Sequence, residues 1–367
     1  MIFLDFNSTT QVSEEVLAAM VEAYKLPLNN SSTHQLGRKA KKLVENAREN
    51  LKKLLNAESY EVVFTSSSTE ATNTIFFGCD AQRIIFSTIE HASVYSCRPQ
   101  NKEIIEINSL QNGLIDVVDL EKKLPNDGNF LVSLMLANNE TGAIQPVKEI
   151  SKLVHQKGGL FHCDIVQAVG KINVDLEEIN ADFASVSAHK LNGPQGVGAL
   201  LMRKGLDLKP LIHGSKQEKS KRAGTVNVAG IAGFGEACIQ ATKKIGAYEE
   251  VRKLRDFLEL KISEIGGDDV KIFASSVERL PNTTYFATKN CDAQTQLINF
   301  DLNGICVSAG SACSSGTTAE SRILKSMGIA EEFSTSAIRV SLAPESTRGE
   351  IEKFISVWQE FYQKTKK

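Results

Sequence analysis

Leu160-Phe161-His162-Cys163-Asp164, then Phe183-Ala184-Ser185-Val186-Ser187-Ala188-His189-Lys190, then Val197-Gly198-Ala199-Leu200-Leu201-Met202: these three runs decide the fold. Each is short and apolar, as a strand buried on both faces must be. The first ends in a carboxylate and turns through Ile165-Val166-Gln167-Ala168; the second ends in Ser-Ala-His-Lys. Leu191-Asn192-Gly193-Pro194-Gln195-Gly196 separates the second from the third. In an α/β sheet, chemistry gathers at the carboxyl ends of parallel strands. An acid at one such end and a lysine at another suit pyridoxal phosphate. The lysine forms the Schiff base, and the carboxylate keeps the pyridine nitrogen protonated so that the ring draws in electrons. Asp164 and Lys190 alone would not outweigh the commonest fate of such residues, a strand-end acid and a surface lysine. The residues around them tip the balance.

Far downstream, Ser308-Ala309-Gly310-Ser311-Ala312-Cys313-Ser314-Ser315-Gly316 has nothing bulky beside the sulfur. Such a run predicts a mobile or exposed loop. A thiol there is placed to react, because reactivity needs access and thiolate character. Most of the other cysteines read as small buried hydrophobes.

Upstream, Val63-Phe64-Thr65-Ser66-Ser67-Ser68-Thr69 runs from an apolar strand into Glu70-Ala71-Thr72-Asn73-Thr74-Ile75, a helix start. Free N–H groups and the positive helix end would meet a phosphate there, with the hydroxyls of the run adding donors. A serine-rich N-cap without a ligand fits the same residues.

Ser187-Ala188-His189-Lys190 followed by Gly193-Pro194-Gln195-Gly196 resembles the cofactor-lysine motif of the cysteine desulfurases, a branch of the fold-type I pyridoxal-phosphate enzymes. The likeness continues in order along nearly the whole chain. It covers Leu4–Thr10, Asn30–His34, the phosphate-cup stretch Val63–Asn73, Glu90-His91, Asn138-Asn139-Glu140-Thr141-Gly142, Arg222-Ala223-Gly224-Thr225, Gly310–Cys313 and Ile338-Arg339-Val340-Ser341. The resemblance implies a homodimer of α/β chains. Each would have a large, mostly parallel sheet domain over 12–245, and a small α/β C-terminal domain over 1–11 and 246–367 carrying the cysteine loop. It implies pyridoxal phosphate on Lys190, with Ser68, Thr69, Ser187 and His189 at the phosphate. Asp164 would meet the pyridine nitrogen, and Asn139 and Gln167 the phenolic oxygen side. His91 would stack on the ring and relay protons. Thr225 would reach a phosphate in the other subunit, and Arg339 would grip the substrate carboxylate as a bidentate pair. The implied reaction takes L-cysteine to L-alanine, leaves a persulfide on Cys313, and passes the sulfur to a protein acceptor for iron–sulfur cluster assembly or another sulfur-transfer route. A selenocysteine lyase, or an aminotransferase-like or β-lyase enzyme on the same fold, remains a competing reading. So does a degenerate relative that only binds.

The chain departs from the family pattern in places. Ser67 and Ser68 stand where Gly and Ala are usual, so strain is expected at Ser67 if that position needs a positive φ. His213-Gly214-Ser215-Lys216-Gln217-Glu218 replaces a glycine-rich stretch. The sequence also ends soon after Trp358, where members that feed iron–sulfur scaffolds often carry a longer docking tail.

Composition adds bounds. At 367 residues there is chain enough for a large core and a second domain. A net charge of −2 gives no electrostatic reason to expect DNA or acidic lipid as a partner. No stretch predicts a membrane span, and the first residues lack the pattern of a signal peptide. Seven cysteines without framework spacing predict reduced thiols and a cytoplasmic protein, and no Cys/His spacing predicts a metal site. Helices are expected over 14–24, 39–55, 144–156, 350–362, and from 225 to about 265. Gly246 is a point of interruption in the last of these and Gly266-Gly267 a stop. Further strands are expected over 83–86, 130–136, 283–287, 305–308 and 337–342.

Overall fold

The computed structural model describes residues 1–310 and 320–365. Strands are β1 (Ile2–Phe3), β2 (Tyr60–Thr65), β3 (Arg83–Ser87), β4 (Glu103–Ile107), β5 (Phe130–Met135) and β6 (Leu160–Asp164). They continue with β7 (Phe183–Ser187), β8 (Gly198–Arg203), β9 (Val270–Ile272), β10 (Thr283–Thr288), β11 (Ile305–Cys306) and β12 (Ala337–Ser341).

Among the described residues, seven strands form one large sheet in the order β2-β8-β7-β6-β5-β3-β4. β4, β3, β5, β6 and β7 pair in parallel, while β8 runs antiparallel between β7 and β2. Every residue of β5 and β7 is buried, which explains their unbroken apolar or small side chains. Helices cover both faces. Gln35–Leu54 turns Ala40, Val44, Ala47 and Leu51 inward at helical spacing and leaves most of its lysines outside.

A three-stranded antiparallel sheet, β12-β10-β9, has its own core, in which Leu4, Leu258, Phe286, Phe300, Val340, Phe354 and Trp358 pack together. Trp358 lies fully inside, donates from its indole N–H to Thr288 Oγ1 at 3.2 Å, and stacks on Tyr362. The first strand joins this end of the molecule: β1 pairs in parallel with β11, Ile2 opposite Ile305.

The expected long helix after residue 225 is two helices. Val228–Lys244 and Tyr248–Gly266 meet at a 3₁₀ turn over Ile245–Ala247, around Gly246, and Gly267 ends the second at φ +55°. The helix expected from 144 begins only at Val147. Pro146 disfavours helical backbone at the residue before it, and Ile144 instead bridges to Ala137. No described helix is long and apolar enough to cross a membrane.

Candidate active site

A cavity of about 180 Å³ opens near the carboxyl ends of β5, β6 and β7. Its walls include Ser68, Thr69, His91, Asn139, Asp164, Gln167, Ser187, His189 and Lys190. The fold thus brings together nine residues that were named from sequence. It does not bring in all of them: Thr225 lines a separate cleft with Thr65, Ser66 and Glu218, Arg339 stands behind Asn139, and Cys313 lies outside the described residues.

The cup at one end is built by β2 running into the helix Ser68–Gly78. Ser67 is the N-cap, and its hydroxyl accepts from the Glu70 N–H. Its φ of −171° is extended backbone open to any residue, so the strain considered for this serine is absent. The first N–H groups of a helix have no intrahelical partner. Here they begin at the cavity wall, beside the Ser68 and Thr69 side chains.

Asp164 ends β6 and is buried, with its Oδ1 accepting from the Val166 N–H at 3.0 Å. It makes no ion pair among the described residues, and burial pushes its pKa up to about 6 against the weaker pulls of that hydrogen bond and Lys190. Behind it, Glu90 accepts from Ser87 Oγ at 2.6 Å while its other carboxyl oxygen has no partner. Burial first, and the charge of Asp164 after the Ser87 hydrogen bond has offset part of it, raise the Glu90 carboxyl to about 8. Glu90 is therefore mostly protonated at neutral pH.

His91 caps a short helix: its Nδ1 accepts from the Ser93 N–H at 3.1 Å. Burial, then the charges of Lys190, Arg322 and Arg339, lower its pKa to about 4. The ring is neutral, with Nδ1 occupied as an acceptor and the proton left on Nε2. Asn138 shapes the neighbouring wall, its Oδ1 accepting from the N–H groups of Glu140 and Thr141. Next to it, Asn139 faces the cavity, and its Oδ1 is buried without a hydrogen-bond partner.

Lys190 follows β7 by one turn, and its Nζ donates to the carbonyl oxygens of Asn7 and Ser8, each at 2.6 Å. Asn7, almost fully buried, was not singled out from the sequence. It accepts from Gln167 Nε2 through its carbonyl and from Lys171 Nζ through its side chain, and donates to Thr283 Oγ1 and the Asn139 carbonyl. Arg339 on β12 donates to that same Asn139 carbonyl at 3.0 Å and pairs with Asp5 at 2.7 Å. Its Nε is buried without a partner. The first residues of the chain thus lie between the lysine and the arginine.

Of the six described cysteines, Cys79, Cys97, Cys163, Cys238 and Cys291 are buried and Cys306 is half-buried. Burial raises the thiol pKa of Cys97 to about 11 and lifts Cys163 well above its ordinary value. Such thiols are poor nucleophiles. No cluster of metal ligands occurs among the described residues.

An acid and a lysine at the ends of neighbouring parallel strands, facing a helix N-terminus across one cavity, define a class, and the comparisons agree with it. Residues 2–354 match the aminotransferase class-V family, whose members work with pyridoxal phosphate. Within that class the chain belongs to the cysteine desulfurases. It is 38% identical to the cysteine desulfurase IscS of Dictyoglomus turgidum, over 99% of this chain and 95% of the relative. It is also 38% identical to cysteine desulfurase 2 of Trichormus variabilis, over 97% and 92%. Among solved structures, a NifS-like protein from Rickettsia africae superposes with a TM-score of 0.92 at 38% identity, covering 99% of both chains. SspA, solved in complex with cysteine, superposes at 0.81 and 26% identity, over 95% of this chain and all of that one.

Proposed function

We propose that this chain, working as a homodimer, converts L-cysteine to L-alanine with pyridoxal phosphate held on Lys190, and hands the sulfur from Cys313 to a protein acceptor. The observation that carries the reading is the meeting of Lys190, Asp164 and His91 in one cavity opposite the helix end at Ser68. The residues present fit the cofactor. Asp164 is a buried acid without an ion-pair partner, and Asn139 holds a buried oxygen without a hydrogen bond, both on the cavity wall. The solved neighbour bound to cysteine supports the substrate.

Bound there, pyridoxal phosphate would supply a sink for the electron pair released at the substrate Cα. Ser68, Thr69, Ser187 and His189, with the helix N–H groups, would hold its phosphate. Asp164 would keep a proton on the pyridine nitrogen, and the two ions would stabilise each other away from water. His91 would lie against the ring, neutral, with a donor at Nε2. Asn139 and Gln167 would flank the phenolic oxygen. Arg339, already oriented by Asp5, would hold the carboxylate of L-cysteine. Lys190 would take the Cα proton. Cys313, as thiolate, would attack the substrate sulfur. The S–S bond forms as the Cβ–S bond breaks; Cβ takes up the proton given up by the substrate thiol and becomes a methyl carbon, and Lys190 returns its proton to Cα, so that the products are a persulfide on Cys313 and L-alanine. No outside oxidant or reductant is needed. Thr225, at its separate cleft, is assigned to the phosphate of the partner subunit. Residues 12–245 form the cofactor domain in this account, and 1–11 with 246–367 the smaller one.

Absorption spectroscopy tests the cofactor assignment. The protein reconstituted with pyridoxal phosphate should show a visible band, and Lys190→Ala should lose the covalent chromophore together with alanine release. A wild type that takes up no cofactor would refute it.

A further inference from the structure

Lys171 is a lysine fully inside the protein, 3% exposed, with no carboxylate within ion-pair distance among the described residues. Burying an ammonium costs several kcal/mol unless its surroundings compensate, so its partners show what it does. Both lead to the cavity. Nζ donates to Gln167 Oε1 at 2.7 Å and to Asn7 Oδ1 at 2.9 Å. Gln167 lines the cavity, and the Asn7 carbonyl receives both Gln167 Nε2 and Lys190 Nζ.

These contacts fix the amide. A lysine nitrogen facing Gln167 as donor demands the amide oxygen there. The amide nitrogen must then point the other way, where it donates one N–H to the Asn7 carbonyl at 3.0 Å. One N–H remains, on a side chain that forms the cavity wall. Asn7 is set in the same manner, because its Oδ1 accepts from Lys171 and from Asn282 Nδ2 while its own Nδ2 donates to Thr283 Oγ1.

We propose that Lys171 is a positioning residue that locks the Gln167 amide as a hydrogen-bond donor toward the cofactor site. The inference rests on the cofactor assignment above. The neighbouring charges agree with it: Lys190 and Arg339 are the cations that disfavour a charge on Lys171, Asp5 is held by Arg339, and burial is the largest influence lowering the basicity of Lys171. Protonated or not, the Lys171 amine keeps an N–H for each of its two acceptors. Without Lys171 only the Asn7 carbonyl still holds the amide, so a turn that brings its oxygen to the cavity costs one hydrogen bond instead of two, and there a donor to the cofactor's oxygen becomes a repelling acceptor. That change stabilises the protonated form of the group joined to Lys190.

The test is a pH titration of the visible band in reconstituted wild type, Lys171→Met, Gln167→Met and the double variant. Lys171→Met should move the midpoint upward by about one pH unit, Gln167→Met should do likewise, and the double variant should equal Gln167→Met alone, since one change acts through the other. A lysine that only fills space would lower the melting temperature and leave the midpoint unmoved, which overturns the proposal. Additive shifts in the double variant overturn it too, because Lys171 would then act without Gln167. Should Lys171→Met not fold, Lys171→Gln is read the same way. A wild type with no visible band would overturn the cofactor assignment, and this inference with it; a normal wild type beside an unshifted variant overturns this inference alone.

Discussion

The backbone of Gly198 on β8 runs against the backbone of Ser67 in the cup: a β-carbon at 198 would lie 2.6 Å from the Ser67 carbonyl carbon and 2.8 Å from its Cα. Neither neighbour is a side chain that could swing aside. The Val186 carbonyl oxygen, also 2.8 Å away, closes the other side. Gly198→Ala should therefore push the N-cap and the first turn of Ser68–Gly78 outward. Overpacking of this kind costs about 1–3 kcal/mol, and the same displacement should weaken cofactor retention at least about tenfold. Equilibrium dialysis of the reconstituted variant checks it.

Arg339 already has a carboxylate on one side, and its unpartnered Nε marks donor capacity for another. Lysine at this position offers a point charge without the planar fork. Arg339→Lys should raise KM for L-cysteine by roughly tenfold or more and change kcat less. Steady-state alanine release distinguishes this from a general loss of fold, in which both parameters fall with the amount of active protein.

Glu90 gives a pH dependence of known sign. Its carboxyl is raised from 4.5 to about 8 in the folded chain, so the folded state binds the proton more tightly than the unfolded one. The stabilisation is complete below pH 4.5 and is lost as pH rises through 8. Between pH 7 and 8 the half-buried His91 and His189, lowered to about 4, and the buried His162, lowered to about 3, are neutral in the folded protein and mostly so when unfolded. Across that interval the Glu90 share of the stability of the cofactor-free protein should fall by on the order of 1 kcal/mol, or a few degrees in melting temperature, while Lys171, held well below its ordinary basicity, acts in the opposite direction. Glu90→Gln should remove that share, so thermal denaturation at pH 7 and 8 should show stability falling less, or rising more, with pH in the variant than in the wild type.

The cavity end of the sheet was legible because it is local. Asp164 and Lys190 end short apolar runs, and Thr65 to Thr69 join a strand to a helix. Sequence periodicity carries that information directly. Gly246 marked its helix break for the same reason. What escaped depends on distant meetings. Glu103-Ile104-Ile105-Glu106-Ile107 has no clean alternation, and becomes β4 only because β3 offers it a parallel edge. The antiparallel direction of β8 is decided by its pairing with β2, far earlier in the chain. Asn7 and Lys171 looked like ordinary polar residues. Their importance comes from the folding of residues 5–8 between the two sheets, where residues 139, 167, 190, 283 and 341 converge on Asn7. One signal was available for Lys171: a single charge in Ala168-Val169-Gly170-Lys171-Ile172, four residues after Gln167. Ser67 misled in the opposite direction, since the position needs an extended conformation and no glycine.

The central claim is that substrate sulfur passes to Cys313. It is tested most directly by mixing the reconstituted protein with L-cysteine under non-reducing conditions, in the absence of any acceptor, and following it by peptide mass spectrometry alongside free alanine. The account predicts one added sulfur on the peptide containing Cys313 and an equal amount of L-alanine per cofactor in the first turnover, with both lost in Cys313→Ser. Alanine release that persists in Cys313→Ser, or a loaded wild type that forms neither alanine nor persulfide, would contradict it.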